Sequence, residues 1–345
     1  MQPLKIAHVA PVATAIPPLK SGSVQTMTSL LTEGLVARGH EVTLFATGDS
    51  LTKARLHATY PHGYWHDATM WPWELYEMMN IAAAVERGRE FDLIHYEAAY
   101  YPMALSFSRL SPVPLIQTLH HAPTSEEVAL WQRYPDAPFI AISSEQAGLL
   151  TGLNVPSVVL HSVDTDRFDF RPHPDDYLLF LGRFTPGKGA LQAIEVARRV
   201  GMRLLLAAAE NDYYRAEIAP LVDGTQIKYV GEVDFAGKVA LYGGARALLY
   251  PLQAAEPFGL VIAESIACGT PVAALDCGAV REVVDEGITG AVYPDLAEMA
   301  AHLDRVLTLD RRRVRQRAVA RFSIDRMVDE YVAAYRAVLE THQRR

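Results

Sequence analysis

Two acids and two cations in the second half of the chain have the types and spacing for chemistry on a sugar that carries phosphate. In 256-EPFGLVIAES-265, Glu256 lies on a loop and Glu264 on the second turn of a helix expected to open near Gly259. A carboxylate at that place can accept both hydroxyls of a ribose. The N–H groups of Phe258, Gly259, Leu260 and Val261 would stand at a helix N-terminus, where anions are favoured. Earlier, 182-GRFTPGKG-189 offers Arg183 as a planar fork of donors and Lys188 as a point charge at the start of the next helix. Two cations and a helix end are what a diphosphate needs. The run is not a Walker loop, which requires G-x(4)-G-K-[ST]. Each motif has a plainer reading, as a strand–turn–helix corner with solvated cations or as acids placed favourably near a helix start. The pairing of the two is what separates the readings.

The elements that must position these residues follow an alternating pattern. Short apolar runs read as buried parallel strands: LKIAHVA (4–10), EVTLFAT (41–47), DLIHYE (92–97), PLIQTLH (114–120), FIAIS (139–143) and VPSVVLH (155–161). A helix is expected from Gly22 to Arg38, with Gly39 as its cap. The pattern pauses at 162-SVDTDRFDFRPHPDD-176, which reads as a linker, and then restarts. YLLFLGR (177–183), RLLLAAA (203–209), IKYVGEV (227–233), ALLYPL (247–252) and PVAAL (271–275) are the second set of strands, with helices at 189–200, 235–244 and 259–268. The fold class is therefore α/β, with two Rossmann-like, doubly wound parallel-sheet domains. The expected division is 1–165, 170–322 and a C-terminal helix, 323–345, packing back on the first domain. Two such domains facing across a cleft would bind ligands at the carboxyl ends of their strands.

The bulk properties narrow the classes. The chain has 345 residues, which favours two domains, and a formal net charge of -8 with a pI near 5.8, which argues against a nucleic-acid partner. Two cysteines without a C-x-x-C pair suit a reducing, cytoplasmic compartment, and no run approaches a membrane span. Peripheral membrane contact stays open.

E-x(7)-E around PFG, downstream of GR-x(4)-KG, resembles the retaining glycosyltransferases of family 4, which have the two-domain GT-B fold and include the glycogen-synthase-like, group 1 enzymes. The resemblance covers nearly the whole chain: GLVARGHEVTLFATGDS (34–50), TLHHAP (118–123), PFIAISSEQ (138–146), SVDTDRF (162–168), YVGEV (229–233), EPFGLVIAESIACGTPVAALDCGAVREVV (256–284) and GITGAVYP (287–294) fall in the family's order. It implies that Arg183 and Lys188 hold the donor diphosphate, that Glu264 binds its ribose, and that Glu256 meets the transferred sugar. His120 would lie near the anomeric region, Gly22 near the diphosphate, and Gly231 and Val233 beside the base. Two departures stand out. KSGSVQ keeps Gly22 but has Ser23 where the family often has a second glycine, and SVD replaces G-V-D at the domain junction. Neither removes a charged site residue. The implied activity is metal-independent transfer of a hexose, with retention, from a nucleotide-diphospho sugar (a UDP-sugar being the commonest case) to a small-molecule, glycan or lipid acceptor. No further cofactor is implied.

Other signals carry less. Asp164 and Asp166 spell D-x-D, but in a linker, so a metal reading is set aside. His57, His62 and His66 read as a polar loop, and RRRVRQR (311–317) as a solvated helix face. The aromatic stretch 60–76, with Trp65, Trp71 and Trp73, together with Tyr96 and Tyr100, suits either an acceptor surface or ordinary packing. The rival readings are a catalytically silent sugar-nucleotide-binding protein and a nonhydrolysing sugar-nucleotide epimerase. An NAD oxidoreductase is weaker, since no G-x-G-x-x-G follows a strand.

Overall fold

The computed structural model describes residues 2–20 and 22–343, and these form two compact units. The first takes the chain up to Ser162 together with the residues from Ile324 onward; the second is Val163–Ser323.

The first unit is built on seven strands: β1 (Lys5–Val9), β2 (Glu41–Thr47), β3 (Arg55–Tyr60), β4 (Leu93–Ala98), β5 (Leu115–Leu119), β6 (Pro138–Ala141) and β7 (Asn154–Val158). All pair in parallel, in the order β3-β2-β1-β4-β5-β6-β7. Side chains alternate between the two faces, so each strand feeds two cores. Ala7, Val9, Ile94 and Tyr96 pack with Ile81 and Ala84 of the helix Trp73–Glu86. Ile6, Leu93 and Ile116 point the other way, toward Leu31 and Leu35 of the helix Ser23–Ala37 and Tyr331, Tyr335 and Val338 of the helix Ile324–Gln343. Ile6, Leu93 and Ile116 are almost wholly buried, which stabilises the unit by about 1.5–3 kcal/mol for each such side chain.

The second unit holds β8 (Leu178–Leu181), β9 (Leu204–Ala207), β10 (Ile227–Gly231), β11 (Ala247–Tyr250), β12 (Val272–Leu275) and β13 (Gly290–Tyr293), again all parallel, in the order β10-β9-β8-β11-β12-β13. In both sheets the first strand of the unit is central and the order reverses beside it, the doubly wound plan that puts ligand loops at the switch point.

Two sequence expectations change here. The segment after Ser162 is no free linker. Phe168 is buried, and arginines of the helix Arg311–Phe322 bind its main chain: Arg315 Nη1 donates to the Phe168 carbonyl at 2.8 Å and Nη2 to that of Thr165 at 2.6 Å. The basic run is correspondingly not just a solvated face. Arg311 is buried and donates to the carbonyls of Arg171, Ala245 and Gly243 and to the Thr270 hydroxyl at 2.7–2.9 Å. Burial pushes its guanidinium down to about 10. Charge repels these arginines from an apolar core, but orphan carbonyls supply enough acceptors to hold them.

Candidate functional site

In the second unit the loop after β8 and the loop after β11 are laced together by their main chains. Gln253 N donates to the Gly187 carbonyl at 2.8 Å. Gly189 has φ 78°, and a Cβ there would fall 2.0 Å from the Pro251 carbonyl oxygen, so both backbone shape and space demand glycine. Gly189 caps the helix Ala190–Arg199. Seventy residues later the chain turns again at Gly259, φ 91°, which caps the helix Leu260–Ala267. Glu256 is fixed from behind: its carbonyl accepts from Ala279 N at 3.0 Å, and a Cβ on Gly278 would fall 2.5 Å from that carbonyl oxygen.

This lacing brings the charges together. Lys188 Nζ is ion-paired with the Glu256 carboxylate, whose other oxygen accepts from the Tyr250 hydroxyl. Burial, and then the positive charge of Arg183, push Lys188 down to about 8. Arg183 itself is exposed and has no ion pair among the described residues. The corner therefore holds two cations and one acid at the mouth of a helix, an arrangement that favours a further anion. Glu264 is anchored on both oxygens, by Lys238 Nζ at 2.5 Å and the Tyr242 hydroxyl at 3.0 Å. Lys238 in turn lies over the rings of Phe235 and Phe168, 5.4 and 5.5 Å from their centroids. Each carboxylate oxygen keeps a free lone pair for a ligand hydroxyl.

In the first unit His120 follows β5. Its Nε2 meets Glu97 Oε2 at 2.6 Å and its Nδ1 lies 3.3 Å from His161 Nε2. Glu97 Oε1 also meets His8 Nε2 at 2.9 Å, and His8 Nδ1 meets the Thr32 hydroxyl at 2.8 Å. Burial alone would push the Glu97 carboxyl up, but the surrounding histidines outweigh that and hold it well below the usual range. Burial pushes His95 down to about 3. Donor atoms of His8, His95 and Glu97 lie within 4.8 Å of one another, close enough for a metal ion. Their nitrogens are otherwise engaged, His8 as above and His95 with Thr118 and Tyr335 at 2.8 Å each. The donor set is that of a hydrogen-bond network.

Residues 162–321 match the family described as Glycosyl transferases group 1, and residues 24–167 match the one described as Glycosyltransferase Family 4. The chain belongs to the family 4, group 1 glycosyltransferases. It is 31% identical over 188 residues to phosphatidyl-myo-inositol mannosyltransferase of Mycobacterium leprae, a match over 52% of this chain and 48% of that protein. The chain thus spans about half the length of the curated relatives it first matches. Two solved structures are similar over almost the entire chain. One is a glycosyltransferase involved in avilamycin A biosynthesis, with TM-score 0.73, 24% identity and 98% of each chain covered. The other is HepE of Anabaena in complex with UDP and glucose, with TM-score 0.71, 16% identity, and 97% of this chain and 100% of that one covered. Both carry the GT-B fold seen in the two parallel sheets.

Within this glycosyltransferase chain, the structure brings together Arg183, Lys188, Glu256 and the helix start at Gly259–Val261. Phe258 is buried against Phe322, so only its main chain is available to a ligand. Gly231 ends β10 at φ 84° with open space on its Cβ side, and Val233 is half-buried two residues on. Gly22 caps the first helix of the first unit. Trp65, Trp71, Trp73 and Tyr100 share one concavity of about 440 Å³ in that unit, with Tyr64 and Met70. Tyr96 departs from them. It alternates onto the face that packs against Ile81 and Ala84 and is buried there, so its ring offers no acceptor surface. Among the described residues no helix is long and apolar enough to cross a membrane. Sequence reasoning missed Lys238 and His8, and it placed Glu97 with Tyr96, Tyr100 and Tyr101 as a pocket lining, whereas Glu97 is buried in the sheet. For His8 a signal existed: it is a polar residue in the middle of an apolar strand run.

Proposed function

We propose that this chain transfers a hexose from a nucleotide-diphospho sugar, with UDP as the nucleotide, to an acceptor hydroxyl, with retention of configuration and without a metal ion. The observation that carries the reading is the corner where Lys188 pairs with Glu256 beside the unpaired Arg183, at the mouth of the helix that Gly259 caps. A diphosphate entering there would take Lys188 from Glu256 and add Arg183. Both cations and the helix N–H groups would then stabilise the charge that grows on the leaving diphosphate. Glu256, released but still held by Tyr250, would meet a hydroxyl of the sugar. Glu264, its charge balanced by Lys238, would accept from the ribose. A UDP-bound relative of the same fold and a mannosyltransferase relative support the substrate class.

The test is a donor screen that follows free nucleotide diphosphate from UDP-, GDP- and ADP-sugars, with EDTA present throughout. The expected outcome is release from a UDP-sugar, slowed about 100- to 1,000-fold in Arg183→Ala. Failure of calorimetry to detect binding of any of these donors would sink the reading. Once an acceptor is found, an inverted anomeric configuration in the product would remove retention.

A further inference from the structure

The hydrogen-bond chain Thr32–His8–Glu97–His120–His161 lies inside the first unit. Its geometry follows from strand register. His8 on β1 is the pairing partner of His95 on β4, so the two rings stack with centroids 4.9 Å apart, and Glu97 is two residues along β4 on the same face. The carboxylate lies between His8 and His120 and gives one oxygen to each. An ionised carboxylate only accepts. Both Nε2 atoms must therefore carry hydrogen, and in a neutral His8 the Nδ1 atom accepts from the Thr32 hydroxyl.

We infer that Glu97 is a positioning residue for the transfer: by accepting the Nε2 hydrogen of His120 it fixes both the lie of that ring and the nitrogen that bears the proton. The reaction it serves is the one proposed above, and the inference rests on that reading for its kinetic part. With Nδ1 set against His161 and the rings stacked at 5.1 Å, both nitrogens of His120 are engaged within the unit. The His120 side chain is 3% exposed, although the residue as a whole is half-buried. Its ring therefore does not exchange a proton with substrate. It anchors the turn after β5, and the main chain of that turn is what it presents.

Glu97→Gln tests this, because an amide of the same shape can accept from one imidazole only and must donate to the other. One of the two histidines must then change tautomer. The expected result is a melting temperature within a few degrees of the parent, UDP affinity within about twofold, and nucleotide release slowed about 10- to 100-fold with KM little changed. Adding Glu97→Gln to His120→Asn should slow release little further, since both act through one contact. In 15N-histidine spectra the parent should show His120 protonated on Nε2, with that proton shifted in Glu97→Gln. Parent rates in Glu97→Gln, losses that simply multiply in the double variant, or a parent His120 protonated on Nδ1 alone would each overturn the inference. A parent that releases nucleotide from no donor removes the transferase reading, and the spectra then decide on Glu97 alone. Should Glu97→Gln fail to fold, Glu97→Asp, which withdraws the carboxylate by one methylene, is read by the same rates and spectra.

Discussion

The second unit keeps its site charges half-open on loops, whereas the first unit seals a comparable set inside its sheet. Lys188 and Glu256 have side chains 22% and 20% exposed; His8 and Glu97 are at 0% and 1%. An ion pair of the first kind contributes about 0–1 kcal/mol and can be traded for a ligand. A buried set must satisfy every donor and acceptor among its own members, and losing one leaves the rest stranded. Both regions set a glutamate against basic side chains, one to receive a ligand and the other to hold a shape.

The largest test of that contrast is Gly189→Ala. The open site depends on a backbone corner more than on its charges, so a methyl group driven into the Pro251 carbonyl at a left-handed position should cost at least about 2–3 kcal/mol. A urea melt checks it, and an unchanged midpoint would mean the two loops are not laced. Next is the pH dependence of UDP binding. Lys188 binds as the cation, and burial pushes it down to about 8, so its contribution to affinity should be constant below pH 8 and fall by up to tenfold per unit above it. Lys188→Arg, which stays charged and shares the nucleotide's own titration, should lose that fall in calorimetric titrations. In the sealed set, Tyr335→Phe strips His95 Nδ1 of its partner and should cost about 1–3 kcal/mol with UDP affinity unchanged. Smallest is Trp71→Ala. The ring is exposed, so stability should move by less than about 0.5 kcal/mol, and any rise in acceptor KM would then report a direct contact.

The sequence made the strands and the charged corner readable for different reasons. Continuous apolar runs expose fully buried parallel strands, and the helix Phe235–Gly244 emerged with its observed limits. β3 and β13 escaped. β3, RLHATY, is an edge strand that is nowhere fully buried and carries a histidine that invites a loop reading; β13 has only four residues after a glycine turn. At the corner, Arg183, Lys188 and Glu256 are visible because charge after a strand end is a local signal. The partners that fix polar side chains in either unit are not local. Gly278 matters because it leaves room for the Glu256 main chain, and Glu97 because it meets His8 across 89 residues. Lys238 is one lysine among others on a helix until Glu264 is set opposite it.

The path of the chain through the first unit has a consequence for its synthesis. The hydrogen-bond partners of Thr118 and His95 include Tyr331 and Tyr335, which leave the ribosome only after all of Val163–Ser323. The second unit is contiguous and can close on itself as soon as it emerges. The first must wait for its last helix, so the half that is translated first is completed last.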